Sequence, residues 1–200
     1  MAHKRYNADN AVMLLIDHQE GTAGWMHSGS VKVMRRHTIA LAKAAAALSM
    51  PVILTSSMEN EAQGSLFPEL ANILPKAFEQ RIKRGGTVDS MADPDFHSAV
   101  KATGRNNLII AGLLTEVCVL YPALSAVEEG FDVQVVADAS GSGTEVGNDI
   151  ALARIRQSGG YVASTIQILS ELVEDWTRGA GPIVMDVVIG LYAAMEQENN

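Results

Sequence analysis

Three side chains of this sequence could assemble a nucleophilic site: a thiol, a carboxylate and a guanidinium. Cys118 is the only cysteine. Its thiolate would be a strong nucleophile, and a place at or near the start of a helix favours that charged form. Asp17 ends an apolar run of six residues, Ala11 to Ile16 (AVMLLI). A carboxylate there could accept the proton that a thiol must lose before it attacks. Lys83 and Arg84 follow a third apolar stretch, and a cation beside Asp17 and Cys118 would favour both anions. Residue types alone leave plainer readings open. A lone cysteine can serve as a small buried hydrophobe, Asp17 as a turn or cap, and Lys83-Arg84 as a solvated basic pair.

The elements that would position these groups alternate along the chain. Strands are expected at Ala11–Ile16, Pro51–Thr55, Ala77–Ile82, Asn107–Ala111, Asp132–Ala137 and from Tyr161 to Ala163. Helices are expected over Val31–Leu48, Leu66–Leu74 (weakly), Asp95–Ala102, Val117–Glu129 and Ile168–Trp176. Another runs to Gln157, opened by a capping box at Ser142-x-x-Glu145. Strands alternating with helical stretches predict an α/β fold, a doubly wound parallel sheet with helices on both faces. Right-handed crossovers would bring the carboxyl ends of all strands to one edge, where such sheets bind ligands. That edge would gather Asp17 and Gln19, Ser56 to Glu59, Lys83 and Arg84, Gly112 to Cys118, and Asp138 to Ser142. Side chains alternate along a strand, so only one of Lys83 and Arg84 can face the site. Ile82 should be buried, and Arg84 shares its face.

Composition narrows the partners. With 23 acidic and 15 basic residues the net charge is −8, and no basic stripe is present, which argues against nucleic acid. A single cysteine cannot form an internal disulfide, so nothing points to an oxidising compartment, and the cytoplasm is the expected location. The apolar stretch Ile183–Met195 contains Asp186 and is too short to span a bilayer, so no membrane partner is expected. It reads as a helix packed on the domain or on a second subunit. His18, His27 and His37 lack the spacing of a zinc site, and no G-x-G-x-x-G follows the first strand. Neither a metal nor an organic cofactor is expected. Trp25, Met26 and Met58 could line a pocket, with core packing the preferred reading.

Leu108 to Val119 (LIIAGLLTEVCV) closely resembles the cysteine motif of the isochorismatase-like hydrolases, a strand followed by G-x-x-T-x-x-C-V. Leu14 to Gly21 (LLIDHQEG) is similar to that superfamily's first catalytic strand. Ile82-Lys83-Arg84 is similar to its Ile-x-Lys element, with arginine in the lysine position. The stretches TEVCV, PALSAVEEGFDV and DASG are closest to the YcaC-like branch. The resemblance covers roughly Asp9 to Arg178 and implies a hydrolase domain over residues 1–180; the remaining tail, 181–200, is expected from its apolar stretch to be helical and to make oligomer contacts. It implies a six-stranded Rossmann-like sheet of order 3-2-1-4-5-6 and a catalytic triad of Asp17, Arg84 and Cys118. It also implies a cis peptide bond between Leu113 and Leu114, which would turn the Leu114 N–H towards the site. With the Cys118 N–H it would form an oxyanion hole. A ring-like homo-oligomer, such as an octamer, is a further implication.

The function so implied is hydrolysis of a small amide-like or related acyl substrate through a thioester on Cys118. True isochorismatases that lack the cysteine cleave a vinyl ether by acid catalysis, and Cys118 argues against that chemistry. The reading from a different class is an oligomeric redox-sensing or binding protein whose thiol is modified without turnover. Lysine could in principle move a proton, whereas arginine stays protonated, so Arg84 would act through charge and hydrogen bonds alone.

Overall fold

The computed structural model describes residues 6–196. Its strands are β1 (Ala11–Ile16), β2 (Val52–Ser57), β3 (Ile82–Arg84), β4 (Asn107–Gly112), β5 (Asp132–Val136) and β6 (Tyr161–Ala163). All pair in parallel, as the alternating pattern predicts, in the order β3-β2-β1-β4-β5-β6 that the family resemblance implies. The helices are α1 (Glu20–Ala23), α2 (Val31–Ala47), α3 (Pro68–Ile73), α4 (Pro75–Glu79), α5 (Pro94–Ala102), α6 (Leu120–Glu128), α7 (Glu145–Gln157), α8 (Thr165–Val173) and α9 (Gly181–Glu196). Lys4, Arg5 and the last four residues of the 181–200 tail lie outside the described residues.

The apolar runs of β1 and β4 are continuous because the sheet is covered on both faces. Ala11, Met13 and Leu15 enter one core with Leu41 of α2, Leu169 of α8 and Val184 of α9. Val12, Leu14 and Ile16 enter the other with Phe96 of α5, Ala123 of α6 and Ile155 of α7. The tail helix α9 divides likewise: Val184, Val188 and Leu191 are buried, whereas Ile183, Ile189 and Tyr192 are exposed.

Four local expectations need correction. The third strand is not Ala77–Ile82: Pro75 opens the helical turn α4, and β3 is a three-residue edge strand on Thr55–Ser57 of β2. Proline pre-sets a helical φ at a first position, which outweighs the weak apolar signal of Ala77 and Phe78. Ser142 does not cap α7; it is buried and its hydroxyl accepts from the Glu116 N–H, while Thr144 caps the helix through the Gly147 N–H. A capping box does form, at Ser164 and Gln167, so α8 begins before Ile168, and it ends at Val173 rather than Trp176. The helix expected from Val117 starts instead as a π-helical turn, Thr115–Val119, that runs into α6.

Gly112, the last residue of β4, sits beside Ile16 where the two central strands meet. A Cβ there would press on the Ile16 carbonyl oxygen and side chain and on Val119. That carbonyl already accepts from the Leu113 N–H at 3.1 Å, so it cannot yield without opening the ladder under the site. Gly112→Ala should therefore cost about 1–3 kcal/mol, read as a lower thermal midpoint. An unchanged midpoint would contradict this packing.

Candidate active site

Asp17 follows β1 directly, and its backbone turns sharply, with φ at 55°. Few residues other than glycine enter that left-handed region, although aspartate is among those that do. The turn is held on both sides: the Asp17 N–H donates to the Thr55 carbonyl at 2.9 Å, and its carbonyl accepts from the Gln19 N–H at 2.7 Å. The carboxylate is thereby lifted off the strand's end into the protein interior, with 1% of its side chain exposed.

Arg84 reaches it from two strands away, across β2. Its Nη2 donates to both carboxylate oxygens of Asp17, at 2.6 and 2.5 Å. Its Nε donates to Thr55 Oγ1 at 2.9 Å, and its Nη1 to the Thr87 carbonyl at 2.7 Å. Thr55 passes its own proton to the Ile82 carbonyl at 2.8 Å, so one hydroxyl fixes the guanidinium over the middle strand. Lys83 points the other way. It is 60% exposed and pairs with Glu59 at 3.1 Å. Strand alternation thus puts Arg84, not Lys83, against Asp17.

Cys118 lies within the π-helical turn between β4 and α6. Pro122, early in α6, has no N–H to send back to the Cys118 carbonyl, which relaxes the α-helical register just upstream. The peptide bond between Leu113 and Leu114 is cis. The Leu114 N–H donates to the Cys118 sulfur, and the thiol in turn donates to Asp17. The chain around this turn is pinned by the Thr115 N–H on the Gly141 carbonyl at 2.8 Å and the Glu116 N–H on Ser142 Oγ at 3.1 Å. Asp17, Arg84 and Cys118 therefore come together in one line.

Electrostatics distribute the proton along that line. Burial pushes the Asp17 carboxyl above its usual range, while Arg84 and the thiol's hydrogen bond pull it back. Burial, then the charge of Asp17, pushes the Cys118 thiol up to about 12, against the opposing pull of Arg84 and the Leu114 N–H. The expectation that a helix start favours the thiolate is thus overturned. Desolvation and a neighbouring carboxylate outweigh the helical turn that holds Cys118. Both shifts favour a protonated thiol hydrogen-bonded to a carboxyl of raised basicity.

A cavity of about 250 Å³ opens onto Asp17 and Cys118, lined further by Thr22, Trp25, Ser57, Met58, Gln63, Gly86, Thr87, Val88, Leu114 and Val117. Trp25 and Met58 thus face the site, whereas Met26 is buried in the core against Gly141. Gln19 braces the rim, bonding Ser57 through both amide atoms and the Gly64 carbonyl. The sequence reading missed Thr55, Thr22, Thr87 and Val88. Thr55 carried a usable signal, a polar residue ending an apolar strand at the same edge as Asp17. The residues after β3 carried none, since a Gly-Gly loop has no periodicity to read.

Among the described residues no group of three or more His, Cys, Asp or Glu side chains is placed to hold a metal ion, and no helix is long and apolar enough to cross a membrane. His18 is buried, with Nε2 at 2.9 Å from the Ala139 carbonyl, which makes it part of the core.

Comparison with known proteins identifies the family of this fold. The model of the Isochorismatase domain family matches residues 11–167. A curated relative from Escherichia coli K12, named "Probable hydrolase YcaC", is 41% identical over 172 residues, 86% of this chain and 82% of its own. YcaC from Pseudomonas aeruginosa, solved with hexane-2,5-diol and covalent acrylamide, superposes with a TM-score of 0.90 at 38% identity, covering 99% of this chain and 98% of that one. The E. coli YcaC structure, described as an octameric hydrolase of unknown specificity, gives 0.87 at 35% identity and covers 100% and 98%. By these matches, the chain belongs to the isochorismatase family.

Proposed function

We propose that this protein is a cysteine hydrolase that cleaves small amide-like or related acyl substrates through a thioester on Cys118. The observation that carries the reading is the buried line of guanidinium, carboxylate and thiol at the edge of a cavity of about 250 Å³. The names of its relatives support hydrolysis. The P. aeruginosa relative was solved with covalent acrylamide, which supports a reactive nucleophile in this fold.

The thiol does not need to be ionised beforehand. As Cys118 attacks the substrate carbonyl carbon, its proton passes to Asp17, whose raised basicity suits a general base. Sulfur bonds to carbon, and the carbonyl electron pair moves onto oxygen. The N–H groups of Leu114 and Cys118 receive that oxyanion. On collapse the C–N bond breaks, and Asp17 returns the proton to the departing amine. Water, deprotonated by Asp17, then attacks the thioester, releasing the acid and restoring the thiol. Arg84 stays protonated throughout and keeps Asp17 oriented and able to cycle between its two states. A thiol pushed up to about 12 fits a redox sensor poorly, because sensors rely on an exposed, low-pKa thiolate. The exposed apolar residues Val146 and Ile150 of α7 and Ile183 and Ile189 of α9 are suited to contacts between copies in a homo-oligomer.

Four outcomes test this. Cys118→Ala should abolish release of amine from a panel of small amides while leaving the fold intact; wild-type turnover in that variant would refute the nucleophile. Asp17→Asn removes the charge that holds the thiol proton and leaves Arg84 uncompensated, so thiol ionisation, followed by ultraviolet absorbance, should begin at lower pH even as hydrolysis is lost. Ionisation unchanged or moved to higher pH would break the proposed coupling.

Arg84→Lys should keep part of the activity. Arg84→Ala should lose about 100-fold or more in kcat/KM and about 3–5 kcal/mol of stability, because a buried carboxylate is left unpaired. Lys83→Ala should change neither. Equal losses at positions 83 and 84 would contradict the assignment. Light scattering should report an assembly in solution, and the 21.3 kDa monomer alone would rule that part out.

A further inference from the structure

The charges around the cavity constrain what the acyl part of a substrate can carry. Asp17 is the only ionised side chain on the lining among the described residues. Its charge is already matched by Arg84, whose Nε, Nη1 and Nη2 are committed to Thr55, Thr87 and Asp17. Arg84 is fully buried and does not itself line the cavity. The nearest other cation, Lys83, faces away and pairs with Glu59. No positive group is therefore left to receive a substrate carboxylate, and no free carboxylate is left to receive an ammonium. The remaining walls are largely apolar, from Trp25, Met58, Val88, Leu114 and Val117. A charge brought in would lose its water without gaining a partner. A second anion would also lie close to Asp17, on a chain whose net charge is −8. The volume, about 250 Å³, falls below the range of about 300–1,000 Å³ usual for drug-sized ligands.

We propose that the cavity selects small amides whose acyl group is uncharged, and rejects those carrying a carboxylate or an ammonium on that group. This rests on the hydrolase reading for turnover, although selectivity in binding does not. The test uses three amides that share one chain, X–CH2–CH2–CONH2: butanamide with X a methyl, succinamate with X a carboxylate, and β-alaninamide with X an ammonium at neutral pH. Binding is read by saturation-transfer NMR on Cys118→Ser, and turnover by ammonia release with the wild type, both on the protein as it assembles in solution. Butanamide should bind, and should exceed each charged amide at least about 100-fold in kcat/KM. In Val88→Lys, which sets a cation on the lining, succinamate should gain on butanamide. Butanamide that binds selectively but is never hydrolysed would overturn the hydrolase reading and uphold the selectivity. A charged amide that binds or turns over as well as butanamide, or butanamide that fails to bind up to its solubility limit, would overturn the selectivity itself.

Discussion

The buried ion pair between Asp17 and Arg84 is the interaction on which the rest of this structure depends. Two opposite charges are held out of water at the end of a sheet, and either one alone would be strongly unfavourable there. The cost of burial is met by hydrogen bonds from every side: Thr55, Thr87 and both carboxylate oxygens on the guanidinium, and the thiol on the carboxylate. Each of those partners sits on a different piece of chain. The pair therefore ties β1, β2, β3 and the loop after β3 into one unit, and the π-helical turn joins through Cys118.

That arrangement also decides what kind of nucleophile the protein keeps. A cysteine at the start of a long helix, next to a cation, would rest as thiolate and react with any passing electrophile. Here the carboxylate stands between cation and sulfur, and with burial it pushes the thiol towards its protonated form. Arg84 acts on sulfur at one remove, by fixing how Asp17 lies and how readily it takes the proton. An arginine suits this duty, since its planar fork can grip a carboxylate and a hydroxyl together in a way that an ammonium on a flexible stem does not.

Much of this was legible in the sequence, for physical reasons. The parallel, two-sided core follows from short apolar runs alternating with helical stretches, as in AVMLLI and NLIIAG, whereas the strand order came from the family resemblance. Asp17 and Cys118 stand out because a charged or reactive group directly after a buried strand needs a cause. Arg84 over Lys83 follows from the period-2 alternation of a strand, even though the strand itself was placed too early. Three things could not be read. Pro75 turned an expected strand into a helix by local backbone preference. Ser142 was drawn away from its expected cap by a tertiary partner, the Glu116 N–H. The protonation of Cys118 depends on desolvation and on a neighbour about a hundred residues distant, and no local window contains either.

The π-helical turn at Thr115–Val119 adds a geometric condition. Such a turn is an α-helix with one residue too many, looped out where the chain must change phase. Were that residue absent, everything before it would rotate relative to α6 by about 100°, the angle that one residue occupies in an α-helix with 3.6 per turn. Cys118 would then swing away from Asp17 while α6 kept its place against Phe96, Phe131 and the sheet. The spacing between Cys118 and α6 is thus a phase setting. It lets the scaffold and the sulfur each face its own way from a single continuous stretch of chain.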